Sequence, residues 1–152
     1  MHKICLISSG GGHLEQIKQL KEIINRYNCF FVTSPTKATM AIKEKKYLVD
    51  DLNRGSKLSK IFSICKMFLQ QSRIFVKERP DVVITTGAAI AIPMCIICKL
   101  FRKKVIYIES YARMSTVNKS GKLIYKIADL FIVQWEELLK YYPKAVYGGC
   151  IY

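Results

Sequence analysis

The chain has 152 residues, 25 Lys plus Arg against 11 Asp plus Glu, a net charge of +14, and 51% apolar residues. That length predicts one domain, burying roughly two thirds of the surface of its unfolded chain, and the apolar fraction excludes a disordered polymer. The longest uncharged apolar run, 88–98, is short and interrupted by Pro93, so no membrane-spanning helix is expected. No secretory signal is read either, because the chain opens directly into the strand-like Lys3–Ile7. The six cysteines are therefore expected to be reduced, mostly buried thiols in the cytosol. The charge surplus calls for a polyanionic partner: nucleic acid, an anionic membrane surface or a polyanionic substrate.

In chain order, residues 3–8 read as a strand bounded by Ser8-Ser9-Gly10-Gly11-Gly12. Leu14, Ile17, Leu20, Ile23 and Ile24 then recur at helical spacing over 13–26. A second strand is predicted over 29–33, a short helix over 36–46 and a strand over 47–50. A long basic helix follows over 56–77, ended before Pro80 because the residue preceding proline disfavours helical backbone. Residues 81–86 predict a strand, 88–101 an apolar helix, 104–109 a strand, 120–128 a helix, 130–133 a strand and 136–141 a last helical turn or two. The runs at 82–84 and 105–108 are continuously apolar, as in strands buried on both faces. The alternation predicts a single α/β domain, 1–152, with a doubly wound, mainly parallel, Rossmann-like sheet.

Ligands of open parallel sheets bind beyond the carboxyl ends of the strands, and three loops there stand out. Ser9-Gly10-Gly11-Gly12-His13 lets a ligand approach the backbone closely. It is not a dinucleotide fingerprint, since Glu15 occupies the third glycine position, and no Gly-Lys-Ser/Thr makes it a P-loop. A phosphate or sugar site is expected there, against a tight turn with a capping histidine. Thr85-Thr86-Gly87-Ala88-Ala89 can hold a phosphate or simply allow close packing. Glu109-Ser110-Tyr111-Ala112-Arg113 places a carboxylate at a strand exit, suited to a sugar hydroxyl or to general-base work, or to pairing with Arg113.

The segment 54–79 carries Arg54, Lys57, Lys60, Lys66, Arg73, Lys77 and Arg79 among Leu58, Ile61, Phe62, Ile64, Met67, Phe68, Leu69, Phe75 and Val76. Such a helix lies at an anionic membrane interface or packs on a core with a solvated basic face. Lys57, Lys60, Lys66, Phe62 and Phe68 are the expected membrane contacts, and Lys99, Arg102, Lys103 and Lys104 add a second basic cluster. Cys95-x-x-Cys98 lies in an apolar helix without neighbouring ligands and reads as core packing rather than a metal or redox pair. His2 reads as inert and Trp135 as a packing anchor.

Together, Ser9-Gly10-Gly11-Gly12-His13, Asp81-Val-Val-Ile-Thr-Thr-Gly87, Ile106-Tyr-Ile-Glu-Ser110 with Arg113, and Ile127-Ala-Asp-Leu-Phe-Ile-Val-Gln-Trp135 resemble the bacterial capsular and exopolysaccharide glycosyltransferase-enhancer proteins. That family is similar to the membrane-anchoring subunit of the two-piece eukaryotic N-acetylglucosaminyltransferase of dolichol-linked oligosaccharide synthesis. The resemblance implies the acceptor-side, N-terminal half of a split GT-B glycosyltransferase. A separate chain would bind the nucleotide-sugar, and the acceptor would be a polyprenyl-diphosphate-linked saccharide. It implies catalytic roles for His13 and Glu109, by likeness to the peptidoglycan glycosyltransferase that makes lipid II. Acceptor or phosphate contacts are implied for Gly11 and Gly12, and the loop reading adds Ser9, Gly10, Thr86, Gly87, Ser110 and Arg113 as expected contacts. The ending 147–152 resembles the crossing point into the second domain of unsplit relatives and is expected to meet the partner. No counterpart of the eukaryotic subunit's N-terminal anchor is expected in this chain. Attachment is expected through the basic apolar surface or the partner, at the inner face of the cell membrane.

No Asp-x-Asp is present, so transfer is expected to proceed without metal, and no cofactor is expected. Two other readings stay open: a non-catalytic scaffold for a complete partner enzyme, and a basic nucleic-acid module. The second lacks a recognised motif, and its aromatic residues fall in apolar runs rather than on a basic platform, so nucleic acid is not the expected partner.

Overall fold

A computed structural model describes residues 2–52 and 55–151. Arg54, at the head of the basic segment, and Tyr152, the last residue of the tail, lie outside the described residues. In order the chain forms β1 (Lys3–Ser8), α1 (Gly12–Lys18), α2 (Lys21–Arg26), β2 (Asn28–Thr33), α3 (Lys37–Met40), β3 (Lys46–Leu48), α4 (Lys57–Glu78), β4 (Val82–Thr85), α5 (Ile92–Leu100), β5 (Lys104–Ile108), α6 (Lys119–Tyr125), β6 (Leu130–Val133) and β7 (Val146–Tyr147). The strands make one sheet in the order β3-β2-β1-β4-β5-β6-β7, and every pairing is parallel. The order reverses between β1 and β4, which makes their carboxyl ends the switch point of the sheet.

Alternating strand residues feed two cores, as the two-residue period of a strand requires. Cys5, Ile7, Phe30, Val32, Val83, Val105, Tyr107 and Phe131 pack toward α4, α5 and α6. Ile4, Leu6, Phe31, Ile84 and Ile108 pack on the other face with Leu14, Ile17 and Leu20. That second face is unevenly covered: α1 and α2 sit over β1 and β2, while Val82, Ile106 and Ile132 stay partly exposed. A groove of about 370 Å³ opens there beside Ile4, Tyr27, Val82 and Ile106.

α5 starts later than expected, at Ile92, and α6 ends earlier, at Tyr125, and three further elements differ more in kind. The stripe over 13–26 is carried by two helices, because Leu20 leaves helical backbone (ψ 47°) to bury its side chain. The helix over 36–46 shrinks to one turn, capped by Thr36. Beyond it, 43–46 is uniformly charged and has no apolar side chain to bury, and Lys46 Nζ instead takes the free carbonyls of Met40 and Ile42 at 2.7 and 2.8 Å. The end of the chain contributes a seventh strand, since Tyr147 pairs with Val133. α4 ends as expected: Arg79, before Pro80, turns into the left-handed region (φ 47°) and its N–H closes on the Phe75 carbonyl at 2.7 Å.

At the last turn of α4, buried Glu78 joins the amino ends of β1 and β3. Lys3 Nζ lies 2.8 Å and Lys45 Nζ 2.7 Å from its carboxylate, and the Tyr47 hydroxyl donates to it. Burial works against its ionisation, but the bonds from Lys3, Lys45 and Tyr47 outweigh it and hold its pKa at about 2 against an ordinary 4.5. A depressed carboxyl stabilises the fold above its unfolded pKa and loses that contribution as pH falls through its folded one. Between pH 4.5 and about 2 the chain should therefore lose about 3 kcal/mol through this group. Denaturant unfolding across that range checks it, and Glu78→Gln should lack the slope.

Candidate functional site

The switch point gathers two glycine turns. Gly10 donates its N–H to Ser34 Oγ at 3.1 Å, and a Cβ there would lie 2.5 Å from Thr36 Cγ2, so only glycine lets the β1 loop pass the α3 cap. Gly11 (φ 88°) starts α1 without any side-chain cap, so the capping-histidine alternative does not hold. Gly11 and Gly12 are exposed, and a Cβ on either would meet open space. Their backbone is the most exposed part of this loop, with Ser9, Gly10 and His13 half-buried beside it.

His13, the second residue of α1, is half-buried beside the β4 turn. A Cβ on Gly87 would sit 3.3 Å from His13 Cε1 and 3.0 Å from the Tyr107 hydroxyl, so Gly87 (φ 113°) is the gap that lets both rings approach one backbone. His13 Nδ1 is buried with no hydrogen-bond partner. Burial, with the nearby positive charge of Arg113 adding to it, lowers the imidazole's pKa below 6.5. A neutral imidazole at physiological pH is a competent proton acceptor.

The β4 turn itself is closed. The Thr86 hydroxyl donates to the His13 carbonyl at 2.8 Å, and the Gly87 N–H donates to Thr85 Oγ1 at 3.0 Å. Both groups, expected to meet an anion, are engaged inside the chain, so close packing is the alternative this loop realises.

Glu109 also differs from expectation. It is 0% exposed: its Oε1 accepts from the Ser110 N–H (3.0 Å), the Tyr107 hydroxyl (3.2 Å) and Asn118 Nδ2 (3.2 Å), and Tyr142 OH donates to its Oε2 at 3.5 Å. Burial raises its pKa, although these bonds and the Arg113 charge pull the other way. Arg113 makes no ion pair with it among the described residues; its guanidinium reaches Thr116 Oγ1 at 3.4 Å. Ser110 is buried as well. Gly121, inside α6, belongs to the same cluster, since a Cβ there would meet Glu109 Oε2 and Tyr142 OH, each at 2.9 Å. Tyr107, Asn118, Gly121 and Tyr142 thus join the site beyond the residues expected from sequence. Asn118 had a readable signal, an N-cap residue before a helix, and its Oδ1 does cap the Gly121 N–H.

Trp135 anchors the 110–113 loop, donating to the Tyr111 carbonyl at 2.7 Å and packing on its ring at 4.9 Å. Cys95 and Cys98 are buried in the core, which pushes the Cys98 thiol up to about 12. Among the described residues, no three His, Cys, Asp or Glu side chains gather as metal donors.

Away from the crevice, α4 carries a second apolar stripe that faces solvent: Leu58 (81% exposed), Ile61, Phe62 (72%), Cys65, Leu69 and Val76, all on one side at about 3.6 residues per turn. Lys66, Arg73 and Lys77 border it on one side and Lys57 on the other. Two expected contacts fall elsewhere. Phe68 turns inward and packs against the core, and Lys60 lies on the side away from the stripe. Lys66 also pairs with Asp50 at 3.1 Å.

The model of the family described as "Oligosaccharide biosynthesis protein Alg14 like" matches residues 4–151. The chain belongs to this family. Human UDP-N-acetylglucosamine transferase subunit ALG14 is 28% identical over 177 residues, covering 97% of this chain and 82% of its own length. The Debaryomyces hansenii subunit is 29% identical over 175 residues, covering 97% and 75%. The rat subunit is 36% identical over 104 residues, covering 64% and 48%, so the chain spans about half of that relative. These relatives stand on the eukaryotic side of the resemblance noted in the sequence. Among solved structures, Acinetobacter baumannii MurG superposes with a TM-score of 0.75 at 16% identity, over 90% of this chain and 43% of MurG. Rickettsia bellii UDP-N-acetylglucosamine 2-epimerase does so with 0.71 at 16%, over 94% and 41%. At such identity the likeness shows the fold. It bears out the Rossmann-like sheet expected of a GT-B N-terminal half, and this Alg14-like chain covers less than half of either solved chain.

Proposed function

We propose that the chain is the acceptor-side, membrane-associating subunit of a two-chain GT-B glycosyltransferase. The enzyme moves a sugar from a nucleotide-sugar to a polyprenyl-diphosphate-linked saccharide, in capsule or exopolysaccharide synthesis, at the cytoplasmic face of the cell membrane. The observation that carries this reading is the half-buried, neutral His13 between two glycine turns at the sheet's switch point. His13 takes the proton of the acceptor hydroxyl as that oxygen bonds to the anomeric carbon. The bond from that carbon to the diphosphate breaks, and the nucleoside diphosphate leaves with the electron pair, stabilised by the partner. The open backbone at Gly11 and Gly12 and the Arg113 cation serve the acceptor's phosphates. Glu109 holds the floor of the crevice.

The partly exposed Val82, Ile106 and Ile132 support a second chain, because parallel sheets normally carry cover on both faces. The relatives' name, a transferase subunit, agrees with this. The test is to assay the purified chain alone and mixed with its partner: transfer should require both, and robust transfer by the isolated chain overturns the reading. Deleting residues 148–152 should weaken the complex. The burial of Glu109 and of the Thr86 hydroxyl favours the scaffold reading as second choice, which predicts unchanged transfer when His13 is replaced.

Membrane attachment is expected through the outward stripe of α4. Leu58→Glu with Phe62→Glu removes two exposed apolar contacts, each worth on the order of 2 kcal/mol when buried in lipid, and leaves the core intact. Co-sedimentation with phosphatidylglycerol vesicles should fall more than tenfold; unchanged binding places attachment elsewhere.

A further inference from the structure

Between α4, the start of α5 and α6 lies a pocket of about 270 Å³, walled by Ile64, Met67, Phe68, Ala89, Ile92 and Leu123. On α4, Ile61, Ile64 and Phe68 follow one another at helical spacing, so the pocket is continuous with the edge of the outward stripe. At its other end Ala89 stands two residues from Gly87, within about 7 Å along the chain. The pocket thus bridges the apolar, cation-bordered surface and the crevice that holds His13.

We propose that this pocket takes the isoprene units nearest the diphosphate of a polyprenyl chain, guiding the lipid from the membrane surface to the crevice. The inference rests on the acceptor-side reading above and adds where the hydrocarbon runs. The six named wall residues all present hydrocarbon or thioether, so the occupant is hydrocarbon. An apolar cavity of about 150 Å³ holds one benzene ring, so this one holds roughly two five-carbon units, far less than a partner helix needs. Met67 adds an adaptable wall for a branched chain.

The test titrates geranylgeranyl diphosphate and inorganic diphosphate into the chain. The tail should tighten binding at least about tenfold, as burial of several methylenes requires. Leu123 is 42% exposed on α6, so Leu123→Glu puts a charge at the pocket wall without entering the core. It should abolish the tail's gain while inorganic diphosphate binding and vesicle co-sedimentation stay unchanged. Leu123→Trp fills the pocket and should abolish the same gain, whereas a merely adhesive surface would hold the tail more tightly. Equal affinity for the two diphosphates, or a gain that survives both variants, overturns the proposal. Failure of the wild-type two-chain enzyme to glycosylate any lipid acceptor overturns the acceptor-side reading itself. Normal transfer with an unchanged acceptor KM in both Leu123 variants overturns the pocket alone.

Discussion

His13→Ala should lower transfer by the two-chain enzyme by about two to four powers of ten while leaving the melting temperature of the chain nearly unchanged. The asymmetry follows from how the residue is held. Its tie to the β4 turn is through its own carbonyl, which accepts from Thr86 Oγ1, and alanine keeps that carbonyl. Its Nδ1 has no hydrogen-bond partner, so truncation leaves no group unpaired through that atom. Burial lowers the imidazole's pKa from 6.5, so the base is active above that folded value and is lost as pH falls through it. The wild-type rate should therefore decline on the acid side at a pH below 6.5, and the variant's residual rate should lack that limb. A full set of rates against pH, with unfolding curves on both proteins, decides the point. Near wild-type turnover removes His13 from the chemistry.

Glu109→Ala should act the other way round, costing about 3–5 kcal/mol of stability, because removing a buried hydrogen-bonding hub leaves several partners without bonds. The Ser110 N–H, the Tyr107 and Tyr142 hydroxyls and Asn118 Nδ2 would all lose an acceptor at a largely buried site. Glu109→Gln keeps one carbonyl oxygen for these donors and should cost about 1 kcal/mol. The pH dependence separates the variants further. A carboxyl whose folded pKa is raised contributes stability below its unfolded pKa and loses it as pH rises through the folded one. Glu109, raised from 4.5, should thus make the wild type lose stability as pH climbs above 4.5, a slope missing in Glu109→Gln. Chemical unfolding at several pH values measures both effects. Equal stability of Glu109→Ala and wild type would show that the cluster does not hold the crevice floor.

Most of the fold was legible in the sequence because apolar runs and helical stripes report burial directly. The six longer strands and α4 all fall within two residues of their expected bounds. Elements too short for a period were not readable. β7 is two residues long before a glycine pair, and the break at Leu20 leaves the 13–26 stripe intact in sequence while dividing it in space. The candidate site divides similarly. Glycine turns and His13 announce themselves locally, but the surroundings of Glu109 come from 107, 118, 121 and 142, which only tertiary packing brings together. On α4, composition alone could not tell the outward Phe62 from the inward Phe68. Helical phase distinguishes them once one face is known to meet the sheet.

Gln134 has a mechanical consequence. Its Nε2 donates to the Glu109 carbonyl at 2.9 Å, and its Oε1 accepts from the Ile151 N–H at 3.0 Å. One buried amide therefore clasps the floor of the crevice with one hand and the end of the chain with the other. A molecule that grips or displaces residue 151 changes the tension on that clasp, and the load arrives at the backbone of Glu109 through that one side chain. The position of residue 151 and that of the Glu109 carbonyl are geared together through a single side chain.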